Sequence, residues 1–160
     1  MLFYSTELFA AYQHNNAAGR RAKKEWQRRA QAYVLHHAVI APFLPAGAQK
    51  FAKISFHDAA IVKAVRKGKQ LELTLDMTGA ISELVGKIVT LKFSDVVIDN
   101  VQFKKLKPRS WWLYSEVHMA PHSRFAVHVM FHGFDVIIEA SDVKVTITPA
   151  PKKPRGRSAK

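Results

Sequence analysis

Leu71-Glu72-Leu73-Thr74-Leu75-Asp76 alternates leucine with a polar residue through three repeats. In an extended chain successive side chains point to opposite faces, so the leucines share one side and Glu72, Thr74 and Asp76 the other. This is the pattern of a strand with one face in a core and one in water. It decides the fold class because the same two-residue period recurs around it. It appears in Ile88 to Phe93, Val96 to Val101, Trp112 to Val117, Phe125 to Phe131, Val136 to Ile138 and Val143 to Ile147. The turns between them are short and include Lys67-Gly68-Lys69 and His132-Gly133-Phe134, which suit hairpins better than crossovers.

N-terminal to this region the period changes. Ser5 or Thr6 can cap a short helix carrying Leu8, Phe9 and Tyr12 on one side, with Glu7 favourable in its first turn. His14-Asn15-Asn16 and Gly19 predict a break, and a second helix follows from about Ala17 to Ala41. At about 100° per residue, Ala22, Trp26, Ala30, Tyr33, Val34 and His37 form its apolar stripe, opposite Arg20, Arg21, Lys24, Arg28 and Gln31. Pro42 and Pro45 stop it, because proline lacks an N–H and disfavours helical geometry in the residue before it. The expected fold is α+β: N-terminal helices packed on a meandering, mainly antiparallel sheet, with curling into a half-barrel left open. One domain spans 1–148, helical over 1–45 and sheet over 50–148. A basic tail over 149–160 is expected to be disordered, since it holds nothing to bury and its charges repel.

Leu91-Lys92-Phe93-Ser94-Asp95-Val96-Val97-Ile98 also echoes Ile137-Ile138-Glu139-Ala140-Ser141-Asp142-Val143-Lys144-Val145. In each, a strand meets Ser-Asp-Val and a new one begins. Reused turn chemistry and an old hairpin duplication both explain this.

Composition limits the functions available. Hydrophobic content of 48% with 23% charged residues is too apolar for global disorder. No cysteine is present, which excludes disulfides, thiolate metal sites and cysteine nucleophiles. No apolar run approaches the roughly 18 residues of a membrane span, and the N-terminus lacks a basic, apolar leader. A cytoplasmic protein is the expectation, with no role at a membrane.

The outstanding feature is charge. With 25 Lys+Arg against 12 Asp+Glu the chain carries +13. Six of the cations lie between Arg20 and Arg29, with Glu25 the single acid there. A second run, Lys104, Lys105, Lys107 and Arg109, precedes Trp111, and five cations lie between Lys152 and Lys160. Such a field attracts acidic partners and speeds their encounter. The plain alternative is a solvated outer helix face and a loop. Trp111 and Trp112 point to opposite sides of a strand; one is core, and the other is expected beneath the helix rather than exposed as an anchor.

Chemistry finds less support. His57-Asp58 could pair an imidazole with a carboxylate, but sequence neighbours rarely face each other, so a turn or a strand start is the expected role. His118, His122, His128 and His132 fall within fifteen residues. Pro121 keeps the first two off a common helix, and a wet sheet face is expected for His128 and His132 in place of a coordination shell. No phosphate loop, dinucleotide fingerprint or G-x-S-x-G elbow is present. A non-enzymatic protein with no cofactor or metal is therefore expected, with a hydrolase or metalloenzyme as the third reading if His57 or the His118 to His132 group converges in a cleft.

The order of Phe3-Tyr4-Ser5-Thr6-Glu7-Leu8, Trp26, Tyr33, Phe43-Leu44-Pro45, Ser55-Phe56-His57-Asp58-Ala59, Leu71 to Asp76 and Trp112 to Val117 resembles an uncharacterised bacterial domain family of unknown function. It is also similar to small immunity partners of polymorphic toxins. That resemblance implies an inhibitor or immunity factor that occludes its partner, and the basic charge then implies an acidic partner protein. Arg20, Arg21, Lys24, Arg28, Lys104, Lys105, Lys107, Arg109 and Trp111 are the candidate binding residues. The alternative is nucleic-acid binding through the basic helix, the 104–109 run and the tail.

Overall fold

A computed structural model describes residues 2–151. Helices α1 (Thr6–Tyr12), α2 (Ala17–Ile40) and α3 (Ala46–Ala52) precede strands β1 (Ala59–Lys67), β2 (Gln70–Asp76) and β3 (Lys87–Ser94). Helix α4 (Asn100–Lys105) then leads to β4 (Trp111–Ala120), β5 (Arg124–Phe131), β6 (Phe134–Ala140) and β7 (Asp142–Pro149). Ser5 caps α1, its hydroxyl accepting from the Leu8 N–H at 3.2 Å, and Asn16 caps α2 through Gly19 at 2.9 Å.

The α+β class expected from the alternation is the one observed. The seven strands form one antiparallel sheet in the order β6-β5-β4-β1-β2-β3-β7. Two meanders, β1-β2-β3 and β4-β5-β6, are joined edge to edge through β1 and β4. Strands β6 and β7 stand at opposite ends of that order, yet Ser141 alone connects them. A connection so short forces the sheet to curl until its edges meet at that corner.

The echo noticed in the sequence lies at this corner. The Ser94 carbonyl accepts from both the backbone N–H and the hydroxyl of Ser141, at 3.0 and 3.2 Å. Beyond Ser94 the chain lays Val97 against Glu139, the two backbones exchanging hydrogen bonds of 2.9 and 3.0 Å. Arg124 ties the seam with hydrogen bonds to the carboxylates of Asp95 and Glu139. The segment expected as a strand over Val96 to Val101 is corrected here. It is extended only to Asp99, whose carboxylate caps α4 by accepting from Val101 and Gln102.

Alternation accounts for the interior. Leu71, Leu73 and Leu75 are buried, facing Phe93, Leu91 and Val89 across β3; Val143 and Val145 continue the row on β7. Helix α3, which the proline signals did not foretell, extends the helical layer to Ala52. Its Phe51 packs on Phe56, Phe93 and Trp112. Gly47 permits that approach, since a Cβ there would collide with the Val143 carbonyl. Pro149 still pairs with Lys87, and Ala150 donates to Gly86, so ordered structure runs past the expected boundary at 148. The disorder expected for the tail concerns residues 152–160, outside those described.

Outside the curl, α1 and α2 cover β4 and β5. Tyr4, Trp26, Leu113 and Met130 form a second buried cluster, with Leu8, Phe9, Tyr12, Ala30, Tyr33 and Tyr114 around it. Two residues of the expected pattern depart. Val34, placed in the apolar stripe of α2, is 64% exposed. Trp112 is in the main core, but Trp111 is not under a helix: it is 47% exposed, lying against Gly79. The helix covers the Tyr114 end of β4, leaving the Trp111 end outside its reach.

Leu73→Ala should destabilise the fold by about 2–5 kcal/mol, the usual cost of a buried leucine truncation. Thr74→Ala, one residue along and on the outer face, should stay within about 0.5 kcal/mol. Urea unfolding of the two variants checks the alternation, and equal losses would contradict it.

Candidate functional site

Strand β4 meets β1 only at Trp111 and Trp112, so its remaining edge has no strand beside it. Backbone groups on such an edge need other partners. The Val117 N–H donates to the Tyr33 hydroxyl of α2 at 2.8 Å, and the His57 Nδ1–H donates to the Leu113 carbonyl at 2.5 Å. His57 is thereby turned toward β4, with its Nε2 3.7 Å from Asp58, whose φ of 63° makes the turn. This is the turn role read from the sequence.

The helix-covered face of the same strand receives the N-terminal segment through one carboxylate. Glu116, fully buried on the helix-covered face of β4, accepts from Leu2, Phe3 and Tyr4 N–H groups at 2.9, 2.9 and 2.6 Å. Phe3 and Tyr4 share Oε1, while Oε2, which takes the Leu2 N–H, is also 2.8 Å from His118 Nε2. Burial pushes this carboxyl up, but the His118 bond and the three backbone donors outweigh it and hold it below the ordinary range.

His118 Nδ1 faces His36 Nε2 of α2 at 3.2 Å, and the Phe3 ring lies parallel to the His118 ring with centroids 6.2 Å apart. His128 stands directly across from Glu116 on β5, its ring 4.8 Å from that of His118. Burial, with His118 beside it, depresses His128 to about 4, so it is neutral at pH 7.

Of the four histidines grouped in the sequence, two converge and two do not. His118 and His128 meet Glu116 and His36; His122 and His132 sit exposed in the turns flanking β5. The wet face expected for His128 is corrected, because helix α2 and the N-terminal segment close over it. Glu116 and His36 were missed. Glu116-Val117-His118 does place an acid and an imidazole on one strand face, but only the register brings His128 opposite and only helix packing brings His36.

The basic candidates divide into two places. Arg20, Arg21, Lys24 and Arg28 are all exposed on the outer side of α2, as the wheel predicts with Trp26 buried behind them. Glu25 bonds Arg28 at 2.8 Å and Arg29 at 2.7 Å, which draws its carboxyl down to about 2. Arg20, Arg21 and Lys24 form no ion pair among the described residues. Lys104 and Lys105 ride on α4 and Lys107 follows it, bordering a shallow hollow with Val101 and Phe134. Arg109 and Trp111 are exposed beyond that hollow.

One feature of α2 was not recognised in the sequence. Leu35 and Val39, and Phe43 in the 3-10 turn Ala41–Phe43 that follows α2, are about 70% exposed and extend the outward row of Arg20, Lys24 and Arg28. Val34 and Leu2 add to this apolar end. Leu35 and Val39 were legible by the same wheel; they fall on the cationic side.

Glu116→Gln should loosen the first residues, since charged hydrogen bonds of this kind contribute about 1.5–3 kcal/mol and the amide oxygen is a weaker acceptor. Hydrogen exchange at the Phe3 and Tyr4 amides should quicken well beyond that at β2 amides, which lie far from the change.

Among the described residues no helix is long and apolar enough to cross a membrane. No curated protein and no solved structure gives a match to the chain. One family model does match, over residues 10–144, which takes in α2, α3, α4 and the sheet through the start of β7. The chain therefore belongs to the family described as Protein of unknown function (DUF4085).

Proposed function

We propose that this protein works by binding an acidic protein partner along the outer face of α2. The observation that carries the reading is the composition of one continuous row: Arg20, Lys24 and Arg28 at its start, Leu35, Val39 and Phe43 at its end. Cations steer an acidic surface into register and raise the association rate, while buried apolar side chains hold the complex once formed. The exposed aliphatic end distinguishes this from nucleic-acid binding, since a phosphate backbone offers nothing for Leu35 and Val39 to bury against. The finer role is that of an inhibitor or immunity factor, acting by covering the partner's working surface.

The test is site-specific photocrosslinking in the native host from Val39, with a probe at exposed Lys63 of β1, a strand that α2 does not cover, as control, followed by binding kinetics with the captured partner. The expected partner is acidic and crosslinks from Val39 but not Lys63. Arg20→Glu, Arg21→Glu and Lys24→Glu together should slow association about tenfold or more at low salt, and Leu35→Asp should mainly speed dissociation. Absence of a stoichiometric Val39 crosslink overturns the proposal. So does a gel shift of a short mixed-sequence duplex that the triple charge reversal abolishes and Leu35→Asp leaves intact.

A further inference from the structure

The inner side of α2 presents a separate feature that docking on its outer face does not use. Glu116, His118 and His128 each turn one ligand atom toward a common point, with these atoms all within 4.8 Å of one another. Glu116 and His128 are cross-strand partners, and His118 lies two residues further along the same face, so the sheet itself fixes their spacing. We propose that these three side chains bind one borderline divalent cation of the zinc type, under the lid formed by the N-terminal segment.

Three features of the surroundings favour a cation. Two imidazoles and a carboxylate suit zinc and its neighbours in the transition series, whereas magnesium and calcium take oxygen ligands. Metal-binding imidazoles and carboxylates are in turn held by an outer layer of hydrogen bonds. Here His36 Nε2 is 3.2 Å from His118 Nδ1, the Phe3 and Tyr4 N–H groups hold Glu116 Oε1, and the Leu2 N–H holds Oε2 on the side of His118. His128 Nδ1, finally, is buried without a hydrogen-bond partner among the described residues.

Loading requires modest rearrangement. Bonds of about 2.0–2.1 Å to a tetrahedral ion set donors roughly 3.4 Å apart, so the Glu116–His118 pair, now 2.8 Å apart, opens slightly while any wider pair, none beyond 4.8 Å, closes by side-chain rotation. The His118 Nε2–H that donates to Glu116 must give way. Its proton passes to Nδ1, which then donates to His36 Nε2, and His36 carries its own proton on Nδ1. Three protein ligands leave one position of the ion open.

The test uses the full-length chain stripped with chelator and titrated with Zn²⁺ by calorimetry and with Co²⁺ by visible absorption. One equivalent should bind, Co²⁺ giving the intense d–d bands of a four-coordinate ion, with Zn²⁺ competing it away. His128→Leu should weaken binding at least tenfold while leaving the metal-free chain folded, which keeps the test valid if Glu116→Gln unfolds. His36→Gln should weaken it about tenfold, the usual effect of losing an outer-layer partner. The double variant His122→Gln/His132→Gln and the triple charge reversal on α2 should bind as wild type does. Absence of saturable binding, or binding that survives His128→Leu and disappears with His122 and His132, overturns the site and assigns any uptake to surface imidazoles.

Discussion

Ser141 alone joins the two outermost strands of the sheet, and the rest of the architecture follows from that short link. A flat sheet cannot place its first and last strands one residue apart, so the sheet curls, without closing, around its inner face. Alternating leucines, valines and phenylalanines cover that face, while Phe51 of α3 packs onto it from the open side. The seam needs polar ties as well, because edge backbone groups left dry are costly. The Ser94–Ser141 contact, the Val97–Glu139 bridge and Arg124 supply them.

Curling has a second consequence on the outside. Strands β1 and β4 diverge after two residue pairs, and the free edge of β4 takes its partners from elsewhere. Tyr33 and His57 provide them, and on the adjoining face the N-terminal segment is held by a single buried carboxylate at Glu116. A second aromatic cluster around Trp26 then presses α2 against β4 and β5. With its inner side committed to that cluster, α2 has to turn its other side outward. The cationic and aliphatic row on that side, and the imidazoles beneath it, are thus two products of one packing arrangement.

Much of the fold was legible in the order of residues. A strict two-residue period requires one face to be buried and one wet, and Leu71 to Asp76 leaves no other reading. The break at His14-Asn15-Asn16 follows from weak helix formers, and the burial of Trp26 opposite Arg20 and Lys24 from helical spacing. Where short-range pattern and long-range packing competed, packing won. Val96 to Val101 alternates, yet Asp99 caps a helix because the sheet has already reached its corner. Val34 is apolar and adjacent to the buried stripe, yet the aromatic cluster reaches only as far round the helix as Tyr33 and His37. Trp111 is exposed because α2 ends its cover nearer Tyr114.

The candidate sites divide along the same line. By itself the sequence determined the alternating strands, the amphipathic helix, the absence of thiol chemistry and the concentration of positive charge, all properties of neighbours within one or two turns. Only the tertiary structure decided that Glu116, His118, His128 and His36 share one place, since that depends on strand register and on which face of α2 meets β4. Only it decided, too, that Leu35 and Val39 remain exposed, because periodicity shows that a face is apolar and cannot show what covers it. Local patterns are written in spacing along the chain. Convergence between distant segments is written in how the sheet curls.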